Sequence, residues 1–148
     1  QDGRIERFAT VMTGEFFAAL AGHSILKLAV GDSPRAKASD PVFAQAVREA
    51  FAAPQEALAR LFAIRAGPLL SLRDPAEAAA RLSGGLIGLE IAGARSRFGA
   101  FENVVLVGSG QLGDLYEAAL RCVDAGVTTV DADAAVRGGL HAAALSMF

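Results

Sequence analysis

The run 104–107 (Val-Val-Leu-Val), passing straight into Gly108-Ser109-Gly110, limits what this chain can fold into more than any other feature. Four consecutive aliphatic residues read as a short strand buried on both faces. The glycines turn the chain, residues 112–124 have helical spacing, Gly126 stops the helix, and 127–130 reads as a second buried strand. A strand–helix–strand unit of this length is a parallel pair joined by a right-handed crossover. Residues 133–148 read as a final helix.

Upstream of this unit the pattern is mostly helical. Residues 3–12 are the exception: Ile5, Phe8 and Val11 interrupt Arg4, Glu6, Arg7 and Thr10, an imperfect alternation that reads as a strand. Thr13 is placed to cap the next helix, with Glu15 in its first turn and a stripe of Phe16, Phe17 and Leu20, reaching roughly Leu28. A polar loop over 31–39 contains Pro34. Asp40-Pro41 then opens a helix with an N-cap acid and proline at the first helical position, and Phe43, Val47, Ala50 and Phe51 share its face. Pro54 opens another helix, with Leu58, Leu61 and Phe62 on one face. Asp74 and Glu77 have capping-box spacing at the start of a third, whose stripe is Ala79, Leu82, Leu86, Leu89 and Gly93. The expected fold is therefore α/β, helix-rich with a small sheet, and with a helical insertion over about 29–98. The sequence contains no internal repeats and no low-complexity segments.

Composition narrows the class. The 148 residues fit one domain, and a hydrophobic fraction of 53%, much of it alanine alongside 16 glycines, suits closely packed helices. A net charge of -2 provides no electrostatic footprint for nucleic acid. Cys122 is the single cysteine, so no intrachain disulfide forms, which suits a reducing, cytoplasmic setting. The start, QDGRIERF, is polar and charged rather than a secretory signal. The longest apolar stretch, 82–94, carries Glu90 and is too short to span a bilayer. The chain begins at Gln1 with a strand already under way, which reads as a fragment whose missing part holds chemistry.

Among the motifs, Gly108, Gly110 and Gly113 satisfy G-x-G-x-x-G between a strand and a helix. Glycines let a ligand approach the backbone, and free N–H groups at a helix start attract phosphate. Asp131 follows the second strand, 18 residues after Gly113, near where a ribose-binding acid sits in a dinucleotide site. Against that reading, only 35 residues follow Gly113, enough for one strand and one helix. A turn that merely needs small residues would explain the glycines too. Ser83-Gly84-Gly85-Leu86-Ile87-Gly88 lies inside a predicted helix, where each glycine costs roughly 1 kcal/mol against alanine. Close helix packing is the favoured explanation, and room left by these glycines for an adenine ring the sharper one. Thr10, Thr13 and Glu15 cluster where the first strand meets its helix, and capping accounts for Thr13 and Glu15. His23 and His141 lack partners at metal-ligand spacing. Ser24 beside His23 is a neighbour pair pointing different ways. Arg65 and Arg81 read as solvated helix positions.

Taken in order, several segments resemble the 2-dehydro-3-deoxygalactonokinase family. They are D-G-R-I-E-R-F-A-T-V-M-T-G-E-F-F-A-A-L (2–20), H-S-I-L (23–26), L-F-A-I-R-A (61–66), R-L-S-G-G-L-I-G-L-E-I (81–91), V-L-V-G-S-G-Q-L-G-D-L-Y-E-A-A-L (105–120) and G-G-L-H-A-A-A (138–144). The resemblance covers nearly the whole chain, and M-T-G-E-F-F is its most specific part. It implies the C-terminal half of an actin-like (ribonuclease H-like) ATPase fold, in which ATP lies in a cleft between two α/β halves. It also implies phosphorylation of the terminal hydroxyl of 2-dehydro-3-deoxygalactonate by magnesium-ATP, in galactonate catabolism. In that scheme Gly108, Ser109, Gly110 and Gly113 match the adenosine-binding motif. Thr13, Gly14, Glu15 and Gly84 are substrate-site or structural candidates. The N-terminal half, both phosphate loops and the catalytic base are expected upstream of Gln1, so no catalytic residue is assigned within the chain and the chain alone is expected to be inactive. Expected partners are the sugar acid, ATP and the N-terminal half of the same protein, without nucleic acid or membrane; a homo-oligomer is compatible with the sequence. The alternative, an NAD-binding piece of an oxidoreductase, stays open at this point, as does a helical interaction domain without ligand.

Overall fold

A computed structural model describes residues 5–32, 35–71 and 74–146. In order these form α1 (Thr13–His23), α2 (Lys27–Val30), α3 (Pro41–Ala52), a 3-10 turn at Pro54–Glu56, α4 (Ala57–Ser71), α5 (Pro75–Phe98), β1 (Asn103–Val107), α6 (Gly110–Arg121), β2 (Gly126–Val130) and α7 (Ala132–Ser146). The architecture is α/β: a helical layer followed by one strand–helix–strand unit.

The two Asp-Pro signals start helices as expected. Asp40 Oδ1 accepts the Val42 N–H at 2.8 Å and Asp74 Oδ1 accepts the Ala76 N–H at 2.9 Å, each satisfying a donor that the first helical turn leaves free. Helix α5 closes at Gly99, whose φ of +94 is left-handed and whose N–H returns to Arg95 O at 3.0 Å.

Helix α5 is the centre of the molecule. Its residues Ala80, Ile87 and Ile91 join one core cluster with Phe43, Val47, Leu115 and Ala119. Its Ala78, Ala79, Leu82 and Leu86 join a second with Leu26, Val30 and Ile64. A helix apolar on opposite sides is a buried helix. The glycines in its middle let α3 come close. A Cβ on Gly84 would lie 2.5 Å from Phe43 O, and one on Gly88 would lie 2.5 Å from Val47 O. Packing therefore explains Gly84 and Gly88, as favoured from the sequence, whereas a Cβ on Gly85 would meet nothing within 4 Å.

Strands β1 and β2 pair in parallel, with Val104 opposite Val127 and Val107 opposite Val130. Helix α6 crosses over one face, where Val104 and Val127 pack against the α3–α5–α6 cluster. The other face is open: Val105 is 67% and Val107 56% exposed. The expectation of strands buried on both faces is thus corrected, because α6 covers one face only.

Other expectations change for local reasons. The described part of the predicted first strand, residues 5–12, is neither strand nor helix, and Ile5, Phe8 and Val11 are exposed. It pairs with no strand among the described residues. It is held where Arg7 donates to Phe98 O at 3.3 Å and stacks on the Phe98 ring; residues 3 and 4 lie outside the described residues. Thr13 is the first helical residue rather than the cap, a place taken by Met12 without a side-chain bond. Helix α1 stops at His23 instead of Leu28. There the Ser24 hydroxyl donates to Leu20 O at 2.6 Å and accepts the Leu26 N–H at 3.1 Å, a local alternative to the helical ladder. Pro54 opens a 3-10 turn before α4. Helix α6 ends at Arg121, and the chain turns through Asp124 at φ +60, so Gly126 begins β2 rather than ending the helix.

Candidate functional site

The glycine turn has three differently employed glycines. Gly108 donates its N–H to Val130 O at 3.1 Å, carrying the β1–β2 ladder one residue further. A Cβ on Gly108 would stand 3.4 Å from the Gly113 Cα, and one on Gly113 would stand 3.4 Å from the Gly108 carbonyl carbon. These two glycines let the strand end lie directly against the first turn of α6. Ser109 is extended and exposed, at φ -145, and is the N-cap of α6. Gly110 sits at φ +61, a left-handed conformation that favours glycine, and a Cβ there would point into open space. The first N–H groups of a 12-residue helix follow immediately and lack partners within the helix, so this end attracts negative charge.

Beside the turn lies a cleft of about 360 Å³. Thr13, Gly14 and Phe17 of α1 form one wall, and Ser83, Leu86 and Ile87 of α5 another. Gln111, Leu112, Leu115 and Tyr116 bring α6 to it, and Arg35 with Ala36 close the side. Gln111 Nε2 donates to Ala36 O at 2.8 Å, tying that loop to the start of α6. Deeper in, the Tyr116 hydroxyl donates to Glu90 Oε2 at 2.5 Å. Burial, then the hydrogen bond and negative charge of Glu90, push the Tyr116 phenol well above its ordinary value; the Thr13 side chain pulls weakly the other way. The phenol therefore stays protonated and donates.

The structure brings residues from all three places singled out in the sequence to one cleft, the glycine-rich run of α5 contributing Ser83, Leu86 and Ile87. Thr13 and Gly14 line the cleft, and the Gly108–Gly110 turn leads into Gln111 and Leu112 on its edge. Glu15 is exposed and outside the lining. Gly84 faces α3, where close packing accounts for it, while its neighbour Ser83 lines the cleft. Arg81 pairs with Glu77 at 3.2 Å. The sequence reading missed Arg35, Glu90 and Tyr116. The signal was present for the last two. Tyr116 shares an otherwise apolar helical stripe with Leu112, Leu115 and Ala119, and Glu90 interrupts the apolar run around Ile87 and Ile91.

Chemically, the arrangement is a slot with apolar walls and a few polar groups at its edge, adjoining a backbone turn open to a ligand. Such a site suits a flat ring with a polar or anionic extension. Among the described residues no three His, Cys, Asp or Glu side chains gather as metal ligands would.

The 2-keto-3-deoxy-galactonokinase family profile matches residues 1–143. The chain belongs to that family. It is 48% identical to a probable 2-dehydro-3-deoxygalactonokinase of Rhizobium meliloti, over 99% of this chain and 48% of that protein. It is 30% identical to the 2-dehydro-3-deoxygalactonokinase of Escherichia coli, over 95% of this chain and 47% of that one. Its fold superposes on the crystal structure of a protein from Sinorhizobium meliloti assigned as a 2-dehydro-3-deoxygalactonokinase. The TM-score is 0.94 at 47% identity, covering 99% of this chain and 49% of that one. The chain thus spans about half the length of the relatives it matches. The dinucleotide alternative finds no support among these relatives. Asp131, its ribose-binding candidate, instead accepts the Ala134 N–H at 2.8 Å in the first turn of α7.

Proposed function

We propose that the gene product carrying this chain transfers the terminal phosphoryl group of ATP to the terminal hydroxyl of 2-dehydro-3-deoxy-D-galactonate, and that this chain supplies the nucleoside side of the site. The observation that carries the reading is the open, left-handed turn at Gly110, contiguous with the cleft between α1, α5 and α6. The turn would meet the ribose and the adjoining phosphate, where backbone N–H groups are free, and the cleft would take the adenine. In this reading the protein is a cytoplasmic kinase with two halves of the actin-like type. The chain is its C-terminal half, residues 29–98 are a helical insertion, and the other half provides the phosphate loops and the base. Phosphoryl transfer depends on positioning and on charge stabilisation from both sides of the phosphate, so half of the site is insufficient. Mg²⁺ accompanies ATP, but the described residues offer it no ligand cluster; phosphate oxygens and groups outside these residues would hold it.

Turnover assays compare this chain with the whole gene product, using ATP and 2-dehydro-3-deoxygalactonate. The expected result is activity in the whole product and none in residues 1–148 alone. Turnover by the chain alone would show that the catalytic groups are misplaced in this account. Tight NAD binding by the whole product, lost in Asp131→Ala, would contradict the kinase reading.

A further inference from the structure

Two side-chain hydrogen bonds join α6 to upstream elements among the described residues: Gln111 to Ala36 O at the cleft edge, and Tyr116 to Glu90 deeper in. The second spans the two long walls of the cleft, α6 and α5. Thr13, from the start of α1, stands close enough to the same hydroxyl to influence its ionisation. Thr13 and Tyr116 also line the same cleft, so residues of all three bounding helices lie around this pair. Tyr116 lies six residues beyond Gly110, or roughly 9 Å along the helix axis.

Stability alone gives a poor account of this pair. Placing a carboxylate and a phenol on apolar stripes carries a desolvation penalty, and well-packed apolar side chains in their place are often neutral or stabilising. What a hydrogen bond adds that apolar packing does not is direction: it holds only over a narrow range of distance and angle. The phenol keeps its proton far above neutrality, so the bond persists across the working pH range.

We propose that Tyr116 is a positioning residue: its hydrogen bond to Glu90 fixes the rotation of α6 against α5, and so sets the width of the cleft and the presentation of the Gly108–Gly113 turn to the nucleoside of ATP. The inference rests on the nucleotide reading of the cleft. It goes beyond that reading by assigning the geometry to a side chain that need not touch the nucleotide.

The test uses the whole gene product and four variants, Tyr116→Phe, Glu90→Gln, Glu90→Leu and Gly110→Asn. KM for ATP, KM for the sugar acid, kcat and the thermal midpoint are measured for each. Loss of one hydrogen bond should raise KM for ATP about fivefold in Tyr116→Phe. The KM for the sugar acid and kcat should stay within about twofold of the parent. Glu90→Gln keeps an oxygen acceptor for the phenol and should retain most of the affinity, whereas Glu90→Leu should reproduce Tyr116→Phe and stands in for it if that variant fails to fold. If Tyr116→Phe and Glu90→Leu lower only the thermal midpoint, or shift all three kinetic constants alike, Tyr116 is structural and the inference is overturned. Gly110→Asn separates the two levels. A raised KM for ATP there, with Tyr116→Phe unaffected, sinks the positioning role but leaves the nucleotide reading standing. No change in either variant sinks both.

Discussion

The helical layer and the strand–helix–strand unit bury their apolar residues very differently. Around α5, Phe43, Val47 and Leu82 are fully enclosed, and glycines at 84 and 88 let backbones meet at van der Waals distance. In the β1–α6–β2 unit only one sheet face is covered, and Val105 and Val107 remain exposed, as do Val136 and Leu140 of the following α7. The first region is a closed core, intolerant of added or removed volume. The second presents surface, and its residues answer to what approaches them. Both candidate features, the turn and the cleft, lie along the boundary between the two. That placement combines a rigid wall with a backbone open on one side.

The contrast can be broken by substitution. Phe43→Ala should cost about 3–5 kcal/mol, because it empties a fully enclosed site; denaturant unfolding reads this directly, and a loss under 1 kcal/mol would mean the core is loosely packed. Gly88→Ala should cost about 1–3 kcal/mol by forcing α3 away from α5. Gly85→Ala, three residues earlier in the same helix, has open space and should be neutral or stabilising by about 0.4–1 kcal/mol. Equal effects at the two glycines would contradict the packing account. Val105→Thr, on the open sheet face, should change the stability of this chain by no more than about 0.5 kcal/mol.

A smaller effect concerns the outer side of α6. Glu117 accepts hydrogen bonds from Arg121 at 2.8 Å and from Thr129 at 2.9 Å, which hold its carboxyl below the usual glutamate value. A lowered folded value contributes stability above the unfolded value of 4.5, and the contribution is lost as pH falls through the folded one. Wild type should therefore lose slightly more stability than Glu117→Gln on acidification below pH 4.5, as thermal midpoints in a pH series would show. Parallel curves would mean that the ion pair is fully screened by solvent.

The legible parts of the fold were those decided locally. Asp40-Pro41 and Asp74-Pro75 start helices through their own side chains and ring geometry, and the Val-rich runs flanking residues 108–125 form the parallel pair. What the sequence concealed depended on distant neighbours. The alternation in residues 5–12 has no strand partner among the described residues, and the coverage of Val105 depends on which elements reach that face. Ser24 cut α1 short because its hydroxyl found Leu20 and Leu26, a choice that an apolar stripe does not reveal. The site shows the same division. The turn could be read from its glycines, and Thr13 and Gly14 from their neighbourhood. The bond between Tyr116 and Glu90 joins residues 26 apart, and only the packing of α5 on α6 makes it visible.

The proposed function requires the turn at Gly110 to face the nucleoside of ATP. Gly110→Asn tests it most directly, because asparagine tolerates the left-handed backbone at φ +61 while placing a side chain in the open space. KM for ATP is measured in the whole gene product beside the thermal midpoint. The expected result is a rise of roughly tenfold in KM for ATP, a loss of about 1.4 kcal/mol in binding, with the KM for the sugar acid and the midpoint nearly unchanged. An unchanged KM for ATP with a lowered midpoint would contradict it, and would leave the glycines as packing residues between β1 and α6.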